Sequence, residues 1–343
     1  MIYRTSDFDY DLPSGQIAQH PLPDRDASRL LVFERATGET RHLHFRDLPE
    51  LIPPGDLLVI NTSRVIPARL HGKREGGQHA EFLLVRELAD DTWLAMAHPG
   101  GKLKPGRRVT FGEDSAVEIV EVLGGGLRRV RFVGALDARA TLDKYGEVPL
   151  PPYIRRSPDR DDRERYQTVY ANHDGSVAAP TAGLHFTTEL LARIHEQRTF
   201  VTAIDLHVGP GTFKPVETDA LDQHVMHPEA YEISEGAANW VNKVKDVGSA
   251  VWAVGTTVVR ALESAVDPQG EVRAGVGETS LFIRPPYDFK IVEHLITNFH
   301  LPRSTLLMLV CAFGGYEHVM HAYREAVKQG YRFYSYGDAM AII

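Results

Sequence analysis

Apolar and polar positions follow two different textures along this chain of 343 residues. In residues 62–147 the apolar runs are short and closely spaced: Ala80–Val85, Thr92–Ala97, Arg107–Phe111, Ala116–Val122 and Leu127–Val133. Turn residues separate them at Gly76-Gly77, Asp90-Asp91, Pro105-Gly106, Gly112-Glu113-Asp114 and Gly124-Gly125-Gly126. Short strands at this spacing predict a small barrel or sandwich. Residues 145–153 follow, too rich in proline for regular structure, and predict a return connector.

On either side the texture changes. Asp56–Asn61 is a continuous apolar run closed by a turn residue, which predicts a buried strand. Further on, Phe200–Val208, Ala250–Val254 and Ile291–Asn298 predict strands. Helices are predicted at Thr187–Gln197, with Thr187 or Thr188 as N-cap, near Val258–Ala265, and at Thr305–Ala312. This alternation implies α/β layering. The expected architecture is an α/β main domain, a mixed sheet or barrel with flanking helices, formed by residues 1–61 and 148–343. A smaller all-β barrel domain, residues 62–147, is inserted into it through two connections.

Bulk properties narrow the class. The single cysteine, Cys311, excludes an internal disulfide framework and a Cys-pair zinc site, and fits a reducing cytoplasm. The longest apolar run, Leu306–Phe313, is far short of the roughly 20 residues that span a bilayer, and residues 1–7 lack the apolar core of a signal peptide. A cytoplasmic protein is therefore expected. The formal net charge of -8 argues against indiscriminate nucleic-acid coating, while leaving room for local basic patches.

Candidate chemistry gathers in four turns. In open α/β sheets ligands sit beyond the carboxyl ends of the strands, where helix N-termini offer free N–H groups. Val177–Phe186 contributes Thr181 and His185. His207–Phe213 contributes His207, Gly209, Gly211 and Thr212; Asp205, two residues before His207, points to the same face of a strand. Gly255–Thr257 contributes Thr256 and leads to Arg260 and Glu263, an i, i+3 pair placed to form an ion pair. Ile296–Thr305 contributes Asn298, His300 and Ser304, and a further polar turn holds Tyr336, Gly337 and Asp338. Each feature alone has an ordinary explanation: Gly-x-Gly as turn geometry, a lone histidine as a bonded core residue, Ser304 as an N-cap. Their recurrence at four turns of one α/β unit predicts a site. No dinucleotide fingerprint or P-loop is present. His42/His44 and His224/His227 have metal-like spacing without supporting carboxylates, so no metal is predicted. Lys102, Lys104, Arg107 and Arg108, with Arg155 and Arg156 near the connector, form either an ordinary solvated surface or a phosphate track.

Many ordered blocks carry a family resemblance: Asp9–Pro13, Arg25–Val32, Val59–Leu70, Pro149–Ile154, Tyr166–Tyr170, Val177–Phe186, His207–Val216, Val254–Glu263, Ile296–Phe313 and Tyr331–Met340. Along its whole length the chain resembles the S-adenosylmethionine:tRNA ribosyltransferase-isomerases of queuosine biosynthesis. The resemblance implies two domains, α/β with an inserted β-barrel. It implies transfer and isomerisation of the ribosyl part of S-adenosylmethionine onto the aminomethyl group of a 7-deazaguanine (preQ1) at the tRNA wobble position. Epoxyqueuosine-tRNA, adenine and methionine result; S-adenosylmethionine is consumed as a substrate, and no separate cofactor is expected. Because the sulfonium acidifies the C5′ hydrogens, a base must start the reaction. Residue chemistry nominates His207 or His185, with Asp205 and Glu263 as alternatives. Thr181, Gly209, Gly211, Thr212, Thr256, Arg260, Asn298, His300, Ser304 and Asp338 are expected to hold ribose hydroxyls and the methionine ends, Arg260 meeting the carboxylate. The six cations above are expected to meet tRNA, and a monomer is expected. Two rivals are an S-adenosylmethionine-dependent RNA methyltransferase, disfavoured by the missing Gly-x-Gly loop after an N-terminal strand, and a non-catalytic RNA-binding protein, disfavoured by the acidic balance.

Overall fold

The computed structural model describes residues 3–209, 216 and 218–343. In chain order, the strands begin β1 (Arg29–Phe33), β2 (Thr40–His44), β3 (Leu57–Asn61) and β4 (Ser63–Val65). A second group follows: β5 (Arg69–Arg74), β6 (His79–Glu87), β7 (Thr92–His98), β8 (Arg108–Phe111), β9 (Ser115–Gly124) and β10 (Leu127–Gly134), then helix α1 (Ala138–Tyr145) and β11 (Gly146–Glu147). The remainder runs α2 (Asp162–Arg165), β12 (His173–Ser176), α3 (Thr188–Glu196), β13 (Phe200–Leu206), β14 (Glu229–Ile233), α4 (Glu235–Asp246), β15 (Val251–Val254) and α5 (Thr256–Ser264). It ends with β16 (Gly275–Thr279), β17 (His294–Asn298), α6 (Thr305–Gly314), α7 (Tyr316–Lys328) and β18 (Ala339–Ile342).

A nine-stranded mixed sheet in the order β16-β14-β13-β3-β15-β17-β18-β1-β2 carries the main unit. Its centre, β13-β3-β15-β17, is parallel, so these four carboxyl ends lie on one side. All five residues of β3 are buried, and alternation divides them. Leu57 and Val59 enter one apolar core with α4, α5 and α6, while Leu58 and Ile60 enter a second core with Leu190 and Ile194 of α3. Burial on both faces is why this strand has an unbroken apolar sequence.

The second sheet, β11-β5-β6-β7-β10-β9-β8, closes on itself through the β5–β8 pairing. Closure brings backbones together at Gly72, where a Cβ would lie 2.6 Å from Val109 Cγ1 and 2.8 Å from the Thr110 carbonyl. The six-strand ring has one alternating interior; Ala80, Phe82 and Leu84 of β6 face inward. The zone is not purely β: Asp137 caps α1 by accepting from Ala140 N at 2.8 Å, and Leu142 packs into the barrel core. The predicted connector also begins later than residue 145, because Tyr145 ends α1 and Gly146-Glu147 pairs with β5. Ser63–Val65 pairs in parallel with β12, and the barrel strands run from Arg69 to Glu147. Among the described residues, no helix is long and apolar enough to cross a membrane.

Candidate active site

A cavity of about 860 Å³ opens beyond the end of β13, between the main sheet and the barrel. Its floor is Asp174 and Gly175 of β12, His207–Gly209 after β13, Arg260 of α5, and Thr305 at the start of α6. The barrel supplies Val85, Trp93, Leu94, Met96 and Leu127 together with Arg86, Glu87 and, from α1, Arg139, and residues 223–230 supply a third side. The volume lies in the upper part of the range usual for ligand sites, and its position follows the strand-end rule.

His207 is half-buried in this floor. Its ring lies against Gly175, whose φ is +142° and whose added Cβ would stand 2.8 Å from His207 Cε1; no side chain fits there. Nδ1 of His207 is buried without a hydrogen-bond partner among the described residues. Burial lowers the pKa of His207, Asp205 pulls it back up, and His173 lowers it further. A charged ring would bury a second N–H with no acceptor, so the neutral form is the stable one at neutral pH. Asp205 stands beside it, already engaged: it accepts from Thr62 Oγ1 at 2.7 Å and pairs with His173 Nδ1 at 2.7 Å.

Arg260 also lines the cavity, but its charge is taken. It pairs with Glu229, both side chains being 4% exposed, and donates to the Leu281 carbonyl at 3.1 Å and the Thr279 carbonyl at 3.3 Å. The expected Arg260–Glu263 pair does not form, and an Arg260 locked on Glu229 is not free for a methionine carboxylate. Glu229 in turn accepts from Gly209 N at 3.1 Å, so the ion pair anchors the turn after β13.

Several expected site residues are bonded within the fold. His185 is buried, stacked on Phe45 at 4.9 Å, and bonded through Nδ1 to Ser28 Oγ at 2.7 Å and through Nε2 to Asn298 Nδ2 at 3.1 Å. Asn298 is a donor there, so Nε2 accepts and Nδ1 carries the proton. Burial, with Arg25 and Arg332 nearby, pushes its pKa down to about 3. His185 and Asn298 are therefore a strut between two turns. His300 is likewise buried, bonded to Thr297 Oγ1 at 2.8 Å, with its pKa pushed down to about 3 by burial. Glu263 accepts from the backbone N–H groups of Lys290, Ile291 and Val292 at 3.0, 3.0 and 3.2 Å, which fixes a loop and occupies its carboxylate. Asp338 accepts from Arg29 N at 2.9 Å and Arg332 N at 2.8 Å. Ser304 caps α6 through Leu307 N at 3.2 Å. Thr181 lies in a 3-10 turn, Thr181–His185, and Thr256 opens α5; neither lines the large cavity. The Val177–Phe186 turn follows β12, which pairs with β4 outside the main sheet. Gly211 and Thr212 lie outside the described residues.

Of the expected tRNA cations, Lys102, Lys104 and Arg155 are exposed. Arg107 pairs with Glu75 at 3.0 Å and Arg108 with Glu118 at 2.8 Å. Arg156 grips the buried Asp162 in bidentate fashion, at 2.5 and 2.8 Å, and so serves the connector. No group of three or more metal-ligating side chains forms among the described residues. Sequence reasoning missed His173 and Glu229, and missed the aromatic and apolar barrel residues that line the cavity.

Residues 5–342 match the family model described as queuosine biosynthesis protein. The chain belongs to this family. It is 52% identical over 339 residues to a protein of Heliobacterium modesticaldum, covering 98% of each. It is 50% identical to one of Moorella thermoacetica, covering 99% of this chain and 100% of the relative. Both are named S-adenosylmethionine:tRNA ribosyltransferase-isomerase. Among solved structures, a Thermotoga maritima S-adenosylmethionine tRNA ribosyltransferase is 39% identical with a TM-score of 0.57, covering 98% of this chain and 100% of that one.

Proposed function

We infer that this protein is an S-adenosylmethionine:tRNA ribosyltransferase-isomerase. It moves the ribosyl group of S-adenosylmethionine to the aminomethyl group of a 7-deazaguanine at the wobble position of tRNA. It isomerises that group to give epoxyqueuosine-tRNA, and releases adenine and methionine. The observation that carries this is identity of about 50% to relatives of that name over the full length of both chains. The large cavity at the strand ends is the place proposed for both substrates.

His207 is the proposed base for the C5′ proton beside the sulfonium. It lines the cavity, it is neutral at neutral pH, and Gly175 fixes its ring. Gly209, held by Glu229, offers backbone close to the ligand, with Asp205 and His173 beside the base. Lys102, Lys104 and Arg155 are the proposed phosphate contacts. The proposed setting is a cytoplasmic monomer that needs no resident cofactor or metal.

Incubation of precursor tRNA with S-adenosylmethionine tests the reaction. The expected result is free adenine together with an epoxyqueuosine mass in the nucleoside digest. A methylated nucleoside with S-adenosylhomocysteine would instead establish the methyltransferase alternative, and tRNA binding without turnover would establish a binding protein.

A further inference from the structure

The RNA base that reacts must leave its stack, and a site that receives it needs a flat π surface to replace the stacking it gives up. The described residues lining the cavity include one Trp, Tyr or Phe: Trp93. It sits on β7, opposite Glu87 of β6 and Val130 of β10. It is half-buried, packed against the barrel core and still open to the cavity. The β6–β7 register shifts between Leu84 and Arg86, immediately before this pair. Val85, Leu94, Met96 and Leu127 line the barrel side of the same cavity, together with the charged Arg86, Glu87 and Arg139.

The strand-end side of the cavity has no Trp, Tyr or Phe among its described lining residues. His207, with its unpartnered Nδ1, and the buried Glu229–Arg260 pair make that side polar. Ribose hydroxyls and the charged ends of methionine need such partners, whereas a planar heterocycle gains most from an apolar face held rigidly from behind. We propose that Trp93 is the platform on which the wobble base stacks, the barrel wall receiving the RNA base and the sheet end receiving the sulfonium nucleoside. This rests on the reaction inferred above.

The chain has three tryptophans, which makes the assignment observable. Trp240 lies against Phe200 at 4.7 Å, and Trp252 is buried with Nε1 donating to Asp56 at 2.8 Å; neither lines the cavity. In enzyme labelled with 5-fluorotryptophan, the three fluorine resonances are assigned with Trp240→Phe and Trp93→Phe. The Trp93 resonance should shift on addition of an anticodon stem-loop carrying the precursor base. It should stay in place with the same stem-loop made abasic at the wobble position. In kinetics, Trp93→Ala should raise KM for tRNA roughly five- to hundredfold, the range for loss of one base–aromatic stack. KM for S-adenosylmethionine should stay within about twofold, and Trp93→Tyr should recover most of the loss.

A tRNA KM within about twofold of wild type in Trp93→Ala overturns the proposal, and so does an equal fluorine shift with the abasic stem-loop. If the alanine variant does not fold, the labelled wild-type protein still decides. Absence of adenine release by wild-type enzyme would overturn the reaction itself, whereas the fluorine shift reports base docking independently of turnover.

Discussion

Glu229→Ala is the most informative single change. It removes the partner of Arg260 in a pair whose side chains are both 4% exposed, and it orphans the Gly209 N–H. Removing one member of a buried ion pair costs roughly 3–5 kcal/mol, and the lost backbone bond adds about 1 kcal/mol. Unfolding entropy of about 2.1 cal/mol/K per residue gives roughly 0.7 kcal/mol/K over 343 residues. Tm should therefore fall by roughly 6–8 °C if the chain unfolds as one unit, and by more if the main unit melts alone. The double variant Glu229→Met/Arg260→Met removes both charges and fills similar volume, so it should recover most of that loss. Its activity should stay low, because the Gly209 N–H then has lost the carboxylate that holds it. Calorimetry measures the first effect and adenine release the second. A Tm change under about 1 °C in Glu229→Ala, or a double variant that melts below both single ones, would refute the buried-pair argument. Wild-type turnover in the double variant would refute the anchoring role.

Three further outcomes follow from the histidines. His207→Ala should lower kcat by roughly 10²–10⁴ with both substrates still bound, read by single-turnover adenine release; wild-type turnover removes His207 from the mechanism. Because its pKa is lowered, the acid limb of kcat/KM should fall below pH 6.5, as seen in a pH–rate profile. His185 and His300 predict the pH dependence of stability. Both have folded pKa values pushed from 6.5 to about 3, so the unfolded chain binds protons that the folded one refuses. Their contribution is complete above pH 6.5 and is lost as pH falls towards 3, by up to about 1.4 kcal/mol per pH unit for each. Melting between pH 7 and 4.5 should show this loss, shallower in His300→Gln; an equal slope in that variant would count against it.

What the sequence displays depends on how many faces an element buries. The unbroken run at Asp56–Asn61 and the strands before Gly255 and after Ile291 were legible because both faces are covered. The barrel strands were legible because one face is covered and they alternate. Edge strands were not: β2 has an exposed and half-exposed sequence, Thr40–His44, and β16 is Gly-Val-Gly-Glu-Thr. Three of the four turns lie at strand ends of the main sheet and the fourth follows β12 outside it, and together they mix two kinds of histidine. A buried, doubly bonded His185 and a cavity-lining His207 have the same local signature of small residues and Thr. Only contacts far apart in sequence separate them, from Ser28 and Asn298 in one case and from Gly175 in the other. Trp93 was illegible for the same reason: in sequence it is an aromatic residue within a strand, which packing alone explains.

How a chain of net charge -8 holds RNA depends on which cations remain uncommitted. Arg156 is spent on Asp162, which is only 1% exposed, so removing it should damage the connector and leave phosphate binding nearly unchanged. Lys102 and Lys104 are exposed, and each phosphate they meet releases about 0.7–0.9 of a counterion. The surface pairs Arg107–Glu75 and Arg108–Glu118 are worth little in water, so a phosphate can replace either carboxylate. Replacing Lys102 and Lys104 together by alanine should therefore reduce the slope of log K against log[salt] by roughly 1.4–1.8, the sum of two phosphate contacts. Arg156→Ala should change that slope by less than about 0.3 while lowering Tm. Filter binding of precursor tRNA across a salt series reads both. Equal slopes for wild type and the double alanine variant would move the phosphate track off the barrel. A low slope in wild type would mean that base docking in the cavity carries a larger share of the affinity than charge does. In that case selection of the right tRNA rests on the shape and stacking surface of the cavity.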